Sequence, residues 1–170
     1  MGVLSSQQIR AMLNGPHPLV SGYVDLSEQL QSNGFDLTLH SLACFAGPGS
    51  IGMSNAHRTL AGTTEVLFGR DGFVHLAPGA YIARLNETVA LPLAVTALAK
   101  PRSSLLRCGV AVHNAVWDAG YAGQSQVQIS VYNPHGFSVA KNARIVQMLF
   151  LTLDMATNAP YAGAYQGERA

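Results

Sequence analysis

Trp117-Asp118-Ala119-Gly120-Tyr121-Ala122-Gly123, inside the longer stretch Val116 to Phe150, decides how this chain reads. It sets one acidic residue at the head of a glycine-rich tight turn flanked by β-type sequence. A carboxylate in that place can polarise a water against a substrate, and a tyrosine three residues on offers a flat face to a base or a sugar. The turn glycines let the backbone itself come close to a ligand. A local reading stands beside this one, because an aspartate before a turn often bonds its own backbone.

Working outward, the chain is a series of short β-type runs punctuated by Gly and Pro. The turn signals are Gly47-Pro48-Gly49, Gly69-Arg70-Asp71-Gly72, Pro78-Gly79 and Asn133-Pro134-His135-Gly136. The runs are Phe35 to Leu39, Glu65 to Phe68, Phe73 to Leu76, Ala80 to Leu85, Val89 to Leu98, Val110 to Val116, Val127 to Tyr132 and Arg144 to Leu153. Many short strands with turns between them predict an all-β sandwich or barrel. Before them, Ser5 to Leu13 reads as a short helix. Ser5 with Gln8 resembles a capping box, Leu4, Ile9, Met12 and Leu13 form a helical stripe, and Asn14-Gly15-Pro16 stops it. Residues 41–64 read as an insertion or long loop. From Asp154 to Ala170 there is no core pattern, yet the tail carries Tyr161-Ala162-Gly163-Ala164-Tyr165-Gln166-Gly167. That composition suits a flap that orders over a ligand or a neighbour, or a disordered tail. The expected organisation is one domain over residues 1–170, with an N-terminal helix and lead-in at 1–30 and a flexible lid tail at 155–170.

Composition limits the partners. A chain of 170 residues suits one domain with a real core. Charged residues make up only 11 % against 48 % apolar, which points to surface buried between subunits. A net charge of +1 with no basic run argues against nucleic acid or an anionic membrane as main partner. No apolar stretch reaches transmembrane length, since Pro92 interrupts Val89 to Leu98. No positive region followed by an apolar core opens the chain, so a cytoplasmic location is expected. Cys44 and Cys108 lie far apart and read as two buried thiols, and the six histidines never fall at metal-ligand spacing.

Other segments carry chemistry. Lys100-Pro101-Arg102-Ser103-Ser104-Leu105-Leu106-Arg107 puts guanidinium, hydroxyls and backbone amides within one turn. This either cradles phosphate or is a helical turn capped by Ser103 or Ser104. Asp36, in Asn33-Gly34-Phe35-Asp36-Leu37, sits in an apolar strand and needs a partner: an arginine, or a cation it supports from outside. Arg144 and Gln147 are polar on a strand that is otherwise core. Asn114 ends a strand and either bonds a base edge or closes a turn.

Together and in this order, these segments resemble the trimeric deoxyuridine triphosphatases, of the superfamily shared with dCTP deaminase. The residues that carry it are Asn33 to Leu37, Pro101 to Leu105, and Asn114 with Trp117 to Gly123. Ile129 to Asn133 and Asn142 to Phe150 make the fourth motif. The tail Tyr161 to Gly167 is similar to that of the archaeal-type, deaminase-like branch. The resemblance covers roughly residues 30–168.

It implies a distorted β-barrel or jelly roll, a homotrimer, and the reaction dUTP + H2O → dUMP + diphosphate. It also implies that Asp118 activates the water, with Mg2+ on the triphosphate and Asp36 supporting the cation through water. Arg102, Ser103, Ser104, Arg107 and Gln147 would hold phosphates. Asn114 and nearby backbone would read the uracil, Gln128 would belong to the substrate site, and Tyr121 would stack under the deoxyribose. Tyr161, Tyr165 and Gln166 would close over a neighbouring subunit's site. The deaminases of this superfamily carry a glutamate after the third motif, where this chain has Gln128 or Ser130, depending on alignment. Ala164 and Glu168 stand where the deaminase tail has lysine and glutamine. Both departures favour triphosphate hydrolysis over deamination, with a deaminase, a bifunctional enzyme or a non-catalytic nucleotide-binding protein as alternatives. Asn142 stands where the family usually has glycine.

Overall fold

A computed structural model describes residues 2–169. Met1 of the expected lead-in and Ala170 of the expected tail lie outside the described residues. In chain order the elements are α1 (Ser6–Leu13), β1 (Val20–Ser21), α2 (Leu26–Gln29), β2 (Leu30–Gln31) and β3 (Gly34–Phe45). A 3-10 turn (Asn55–His57), β4 (Thr63–Val66), β5 (Phe73–Leu76), β6 (Gly79–Ala90) and β7 (Val95–Pro101) follow. Then come α3 (Ser103–Arg107), β8 (Val110–His113), β9 (Ala122–Val131), β10 (Phe137–Ala140) and β11 (Arg144–Thr152).

The strands pair antiparallel in the order β7-β11-β3-β6-β9-β8. β1 joins β6, β2 and β4 join β3, and β10 pairs with β5 as a separate ribbon. The two ends of the path nearly meet. Beyond β8 the backbone of Trp117 bridges to Ala97 of β7, with N–H···O distances of 2.9 and 3.1 Å. The result is the all-β, nearly closed barrel that the short strands predicted. Its interior follows from strand alternation. In β9, Gly123, Ser125, Val127, Ile129 and Val131 point inward, while Gln124, Gln126 and Gln128 alternate with them. Phe35, Leu37, Leu39, Ile145, Met148 and Phe150 from neighbouring strands complete the core.

The helix α1 forms for the reasons its sequence states. Ser5 Oγ accepts from Gln8 N and Gln8 Oε1 accepts from Ser5 N, a reciprocal cap. Such a cap stabilises by about 1 kcal/mol. Ile9 and Leu13 then bury against the barrel, at about 1.5–3 kcal/mol each.

Several boundaries differ from expectation. Val89 to Leu98 is not one strand: β6 ends at Ala90 and β7 begins at Val95, with a turn in which Val95 N donates to Pro92 O. Proline lacks the N–H a ladder needs. The expected loop at 41–64 is shorter, because β3 runs to Phe45, paired with β4 on one side and β6 on the other. Short elements without a strong sequence signal include α2 and β10. The first is capped by Asp25, whose carboxylate accepts from Ser27 N and Glu28 N. The cysteines are not two buried thiols: Cys44 is half-buried and Cys108 exposed. Asn142 has φ 64°, the only positive φ outside glycine among the described residues. Asparagine tolerates that left-handed conformation better than other side chains do, which is how it serves in a glycine position.

Candidate active site

Two groups of side chains form, on different parts of the barrel. The first gathers where β3, β7 and β11 adjoin. Gln147 of β11 stands in register with Asp36 of β3 on one side and Lys100 of β7 on the other. Asp36 is 1 % exposed. Its Oδ2 lies 3.0 Å from Arg102 Nε and 3.7 Å from Arg144 Nη1. The arginine reading of Asp36 is therefore the one the structure adopts, and Arg102 meets a carboxylate as well as whatever it binds. Neither approach has hydrogen-bond geometry, so Oδ2 remains a buried acceptor without a donor. Burial pushes the Asp36 carboxyl above the ordinary range, against the pull of Arg102 and then Arg144. Arg144 is held on its far side by Glu28 of α2, through a 3.0 Å ion pair and a bond to the Glu28 carbonyl.

After β7 the chain turns into α3. Leu105 anchors it in the core, while Ser103, Ser104 and Arg107 are exposed. The helical turn anticipated here is present, but neither serine caps it. Arg102 occupies the cap position without a side-chain bond.

The second group surrounds Asp118. Its side chain is exposed, on a turn whose backbone is clamped at both ends. Trp117 pairs with Ala97, Gly120 N donates to Leu91 O, and Leu91 N donates to Tyr121 O. Thr96 Oγ1 adds a bond to Trp117 O at 2.8 Å. Tyr121 differs from expectation, because it offers no open face. It is 6 % exposed, and its ring packs edge-on against Tyr161 at 5.5 Å between centroids.

What covers it is the tail of the same chain. Tyr161 N donates to Ala119 O and Gly167 N to Ala122 O, and Glu168 O accepts from Gln124 N. The Gln166 amide bonds Ala122 N and Gly120 O, each at 3.0 Å. The turn glycines do permit a close approach, but of the tail. A Cβ on Gly120, where φ is 87°, would stand 2.7 Å from Pro160, and one on Gly123 3.1 Å from Glu168 N. Arg58, from the long loop, lies 5.3 Å over the ring of Tyr165.

The remaining expected residues, Asn114 and Gln128, make local bonds. Asn114 is half-buried and donates to Ala115 O, closing a local turn. Gln128 pairs with His113 of β8 and donates to Ser130 Oγ at 3.1 Å. The two candidate positions for a glutamate are thus neighbours bonded to each other, and neither is an acid.

Sequence reading missed Glu87. It is fully buried, accepting from Gln29 Nε2 at 2.7 Å and from Thr38 N and Oγ1 at 2.9 and 2.6 Å. Burial pushes its carboxyl up, while the Thr38 and Gln29 bonds pull it back. The available signal was an acid between the apolar runs of β6. Ser125 was also missed, a small residue with no motif to mark it.

Among the described residues no cluster of three His, Cys, Asp or Glu could hold a metal ion. That donor set does not make a resident cation cage. It fits a hard cation carried by phosphate oxygens and waters, with the orphaned Asp36 oxygen as an outer partner. Nor does any bond or ion pair among the described residues join Asp118 to Arg102, Ser103, Ser104 or Gln147. A cleft of about 640 Å³ between α1 and β2 contains none of them. No helix is long and apolar enough to cross a membrane.

Comparison with known proteins identifies the family and the fold. Residues 3–153 match the family model described as dCTP deaminase-like. A protein of Methanosarcina mazei named "Probable deoxyuridine 5'-triphosphate nucleotidohydrolase" is 44 % identical over 168 residues, covering 99 % of this chain and 98 % of its own. One of the same name from Archaeoglobus fulgidus is 46 % identical over the same coverage. The 2'-deoxycytidine 5'-triphosphate deaminase structure from Agrobacterium tumefaciens aligns over 88 % of this chain with TM-score 0.67 and 30 % identity. The chain spans about half, 48 %, of that deaminase's length. The EIAV dUTPase structure shares the fold, at TM-score 0.51 and 14 % identity. Matched over nearly its whole length by model and relatives alike, the chain belongs to the dCTP deaminase-like family.

Proposed function

We propose that the chain is a dUTP diphosphatase, converting dUTP and water to dUMP and diphosphate. The observation that carries the reading is the Asp118 turn, an exposed carboxylate on a backbone clamped at both ends. Archaeal relatives of matching length bear the corresponding name.

In the reaction, Asp118 accepts a proton from a water whose oxygen bonds the α-phosphorus. The bond from that phosphorus to the oxygen bridging to the β-phosphate breaks, and diphosphate leaves with the electron pair. Arg102, Ser103, Ser104, Arg107 and Gln147 hold phosphate oxygens, with donors aimed where charge develops. Mg2+, when bound on the triphosphate, neutralises its charge and holds it in one conformation. Asp36, which two guanidiniums already face, would support such a cation through water rather than ligate it. Asn114 and Gln128 lie at the uracil, and Tyr121 packs under deoxyribose once Tyr161 lifts away.

A homotrimer would unite the two groups, which share no bond in one chain. In it the tail, with Tyr161, Tyr165 and Gln166, would complete a site built from more than one subunit. The chain acts as one unit over residues 1–170, in the cytoplasm.

Deamination of dCTP is the second reading, favoured by the solved deaminase at 30 % identity. The polar face of β9 argues against it, because Gln124, Gln126, Gln128 and Ser130 include no group that titrates near neutrality. Incubation with dUTP, dCTP, dTTP and UTP and Mg2+, following diphosphate and ammonia, tests both. Diphosphate from dUTP without ammonia from dCTP is expected. Ammonia from dCTP moves the chain to the deaminases. Binding without turnover of any of the four makes it a regulatory protein on this fold.

A further inference from the structure

Ser125 lies in β9 with its side chain turned inward, 6 % exposed. Its hydroxyl meets two aromatic residues that flank Asp118. Trp117 Nε1 donates to Ser125 Oγ at 2.6 Å, and Tyr121 Oη lies 3.2 Å from the same oxygen. The indole N–H can only donate, so Ser125 must accept there; its own proton or second lone pair then serves Tyr121. All three groups are buried, where an unpartnered donor is costly. Burial also pushes the Tyr121 phenol up, so it stays a neutral hydroxyl able to complete the arrangement.

The backbone clamps fix where the turn begins and ends, at Ala97 and Leu91. They do not fix the side chains on either side of Asp118. One hydroxyl on β9, the strand that the turn leads into, does so, holding the ring before Asp118 and the ring three residues after it. We propose that Ser125 is a positioning residue for the hydrolysis assigned above: by joining Trp117 to Tyr121 it gives the Asp118 turn a single geometry. This rests on the hydrolase reading for its kinetic consequence, and on geometry alone for the clip itself.

The chain has a single tryptophan, Trp117, so its emission reports on the turn without ambiguity. The test compares the full-length parent with Ser125→Ala, Trp117→Phe and Tyr121→Phe. Misplacement of a reacting group by about 1 Å costs on the order of 10²-fold. Ser125→Ala is therefore expected to lower kcat by about 10- to 100-fold with KM little changed. In the nucleotide-free protein, Trp117 emission should move to longer wavelength and the Asp118 amide should exchange faster. Adding Ser125→Ala to the Trp117→Phe/Tyr121→Phe pair should lower kcat no further, since the hydroxyl then has nothing left to join.

A Ser125→Ala protein with parental kcat and only a lower Tm would overturn the proposal, leaving a plain core hydrogen bond. Fully additive effects would overturn it too. Should Ser125→Ala not fold, parental kcat in both ring variants would be the overturning result. A parent that turns over no nucleotide sinks the hydrolase reading and the kinetic role with it. Emission and exchange then decide the clip alone.

Discussion

Asp118 stands exposed on the turn between β8 and β9, whereas Asp36 lies near the start of β3 at 1 % exposure. The first is placed by its neighbours' backbone hydrogen bonds and has an open side chain. The second is placed by charge, between Arg102 and Arg144, with Glu28 holding the second arginine from behind. An exposed carboxylate on a stiff turn can meet a water and a substrate. A buried one between guanidiniums sets where those guanidiniums stand. The same residue type thus serves two ends, and the difference is made by what surrounds it rather than by its sequence context.

The comparison is most easily broken at Asp118. Asp118→Asn should lower kcat with dUTP by about 10²–10⁴-fold. Its stability should move by no more than about 0.5 kcal/mol, as for other exposed sites. Near-normal kcat would remove Asp118 from the role of base, and a large fall in Tm would make it structural like Asp36.

Truncation after Asp154 should come next. It removes the bonds from Tyr161 to Ala119 and from Gly167 to Ala122, and uncovers Tyr121. We expect kcat/KM to fall by roughly 10- to 100-fold, with oligomeric state and Tm nearly kept. Full activity would make the tail dispensable; loss of the assembly would make it an assembly element.

Arg102→Ala sharpens the other side. A charge-assisted bond contributes about 1.5–3 kcal/mol, so dUTP should bind about 10- to 100-fold more weakly and deoxyuridine much less so. Because Arg102 also faces Asp36, Tm should fall as well, unlike in Asp118→Asn. Equal weakening of both ligands would make Arg102 structural only.

The smallest effect concerns a second buried acid, Glu87. Its folded-state pKa is raised by burial, so its contribution to stability is present at low pH. That contribution is lost as pH rises through the ordinary glutamate range and beyond. Glu87→Gln lacks this titration. The stability of the parent relative to the variant should decline over that pH interval in Tm measurements. A difference independent of pH would mean that Glu87 does not titrate differently on folding.

Much of this molecule is legible in the chain itself. The Ser5–Gln8 cap, the strand of Phe73 to Leu76 and the turn after Trp117 depend on near neighbours, so local pattern suffices. The first and fourth motifs announce Asp36 and Arg144 as polar residues on apolar strands, which must find partners. What pairs with them is not local. Arg102 and Asp36 are far apart in the chain and meet because β11 lies between β7 and β3. The course of β3 beyond Leu39 was hidden for a similar reason: Ser41, Ala43 and Cys44 have weak strand character. They are held there by β4 and β6 on either side.

By itself, then, the sequence determined the β-rich fold, the short N-terminal helix, the acidic turn and the family motifs. These rest on periodicity, capping and turn chemistry, which act over a few residues. Only the tertiary structure decided that Asp36 faces arginines, that Tyr121 lies beneath the tail, and that Glu87 and Ser125 are buried anchors. A side chain's burial and partners are set by which strands pair across the barrel. A residue such as Ser125 looks ordinary in sequence and acquires its meaning when its hydroxyl joins two rings around Asp118.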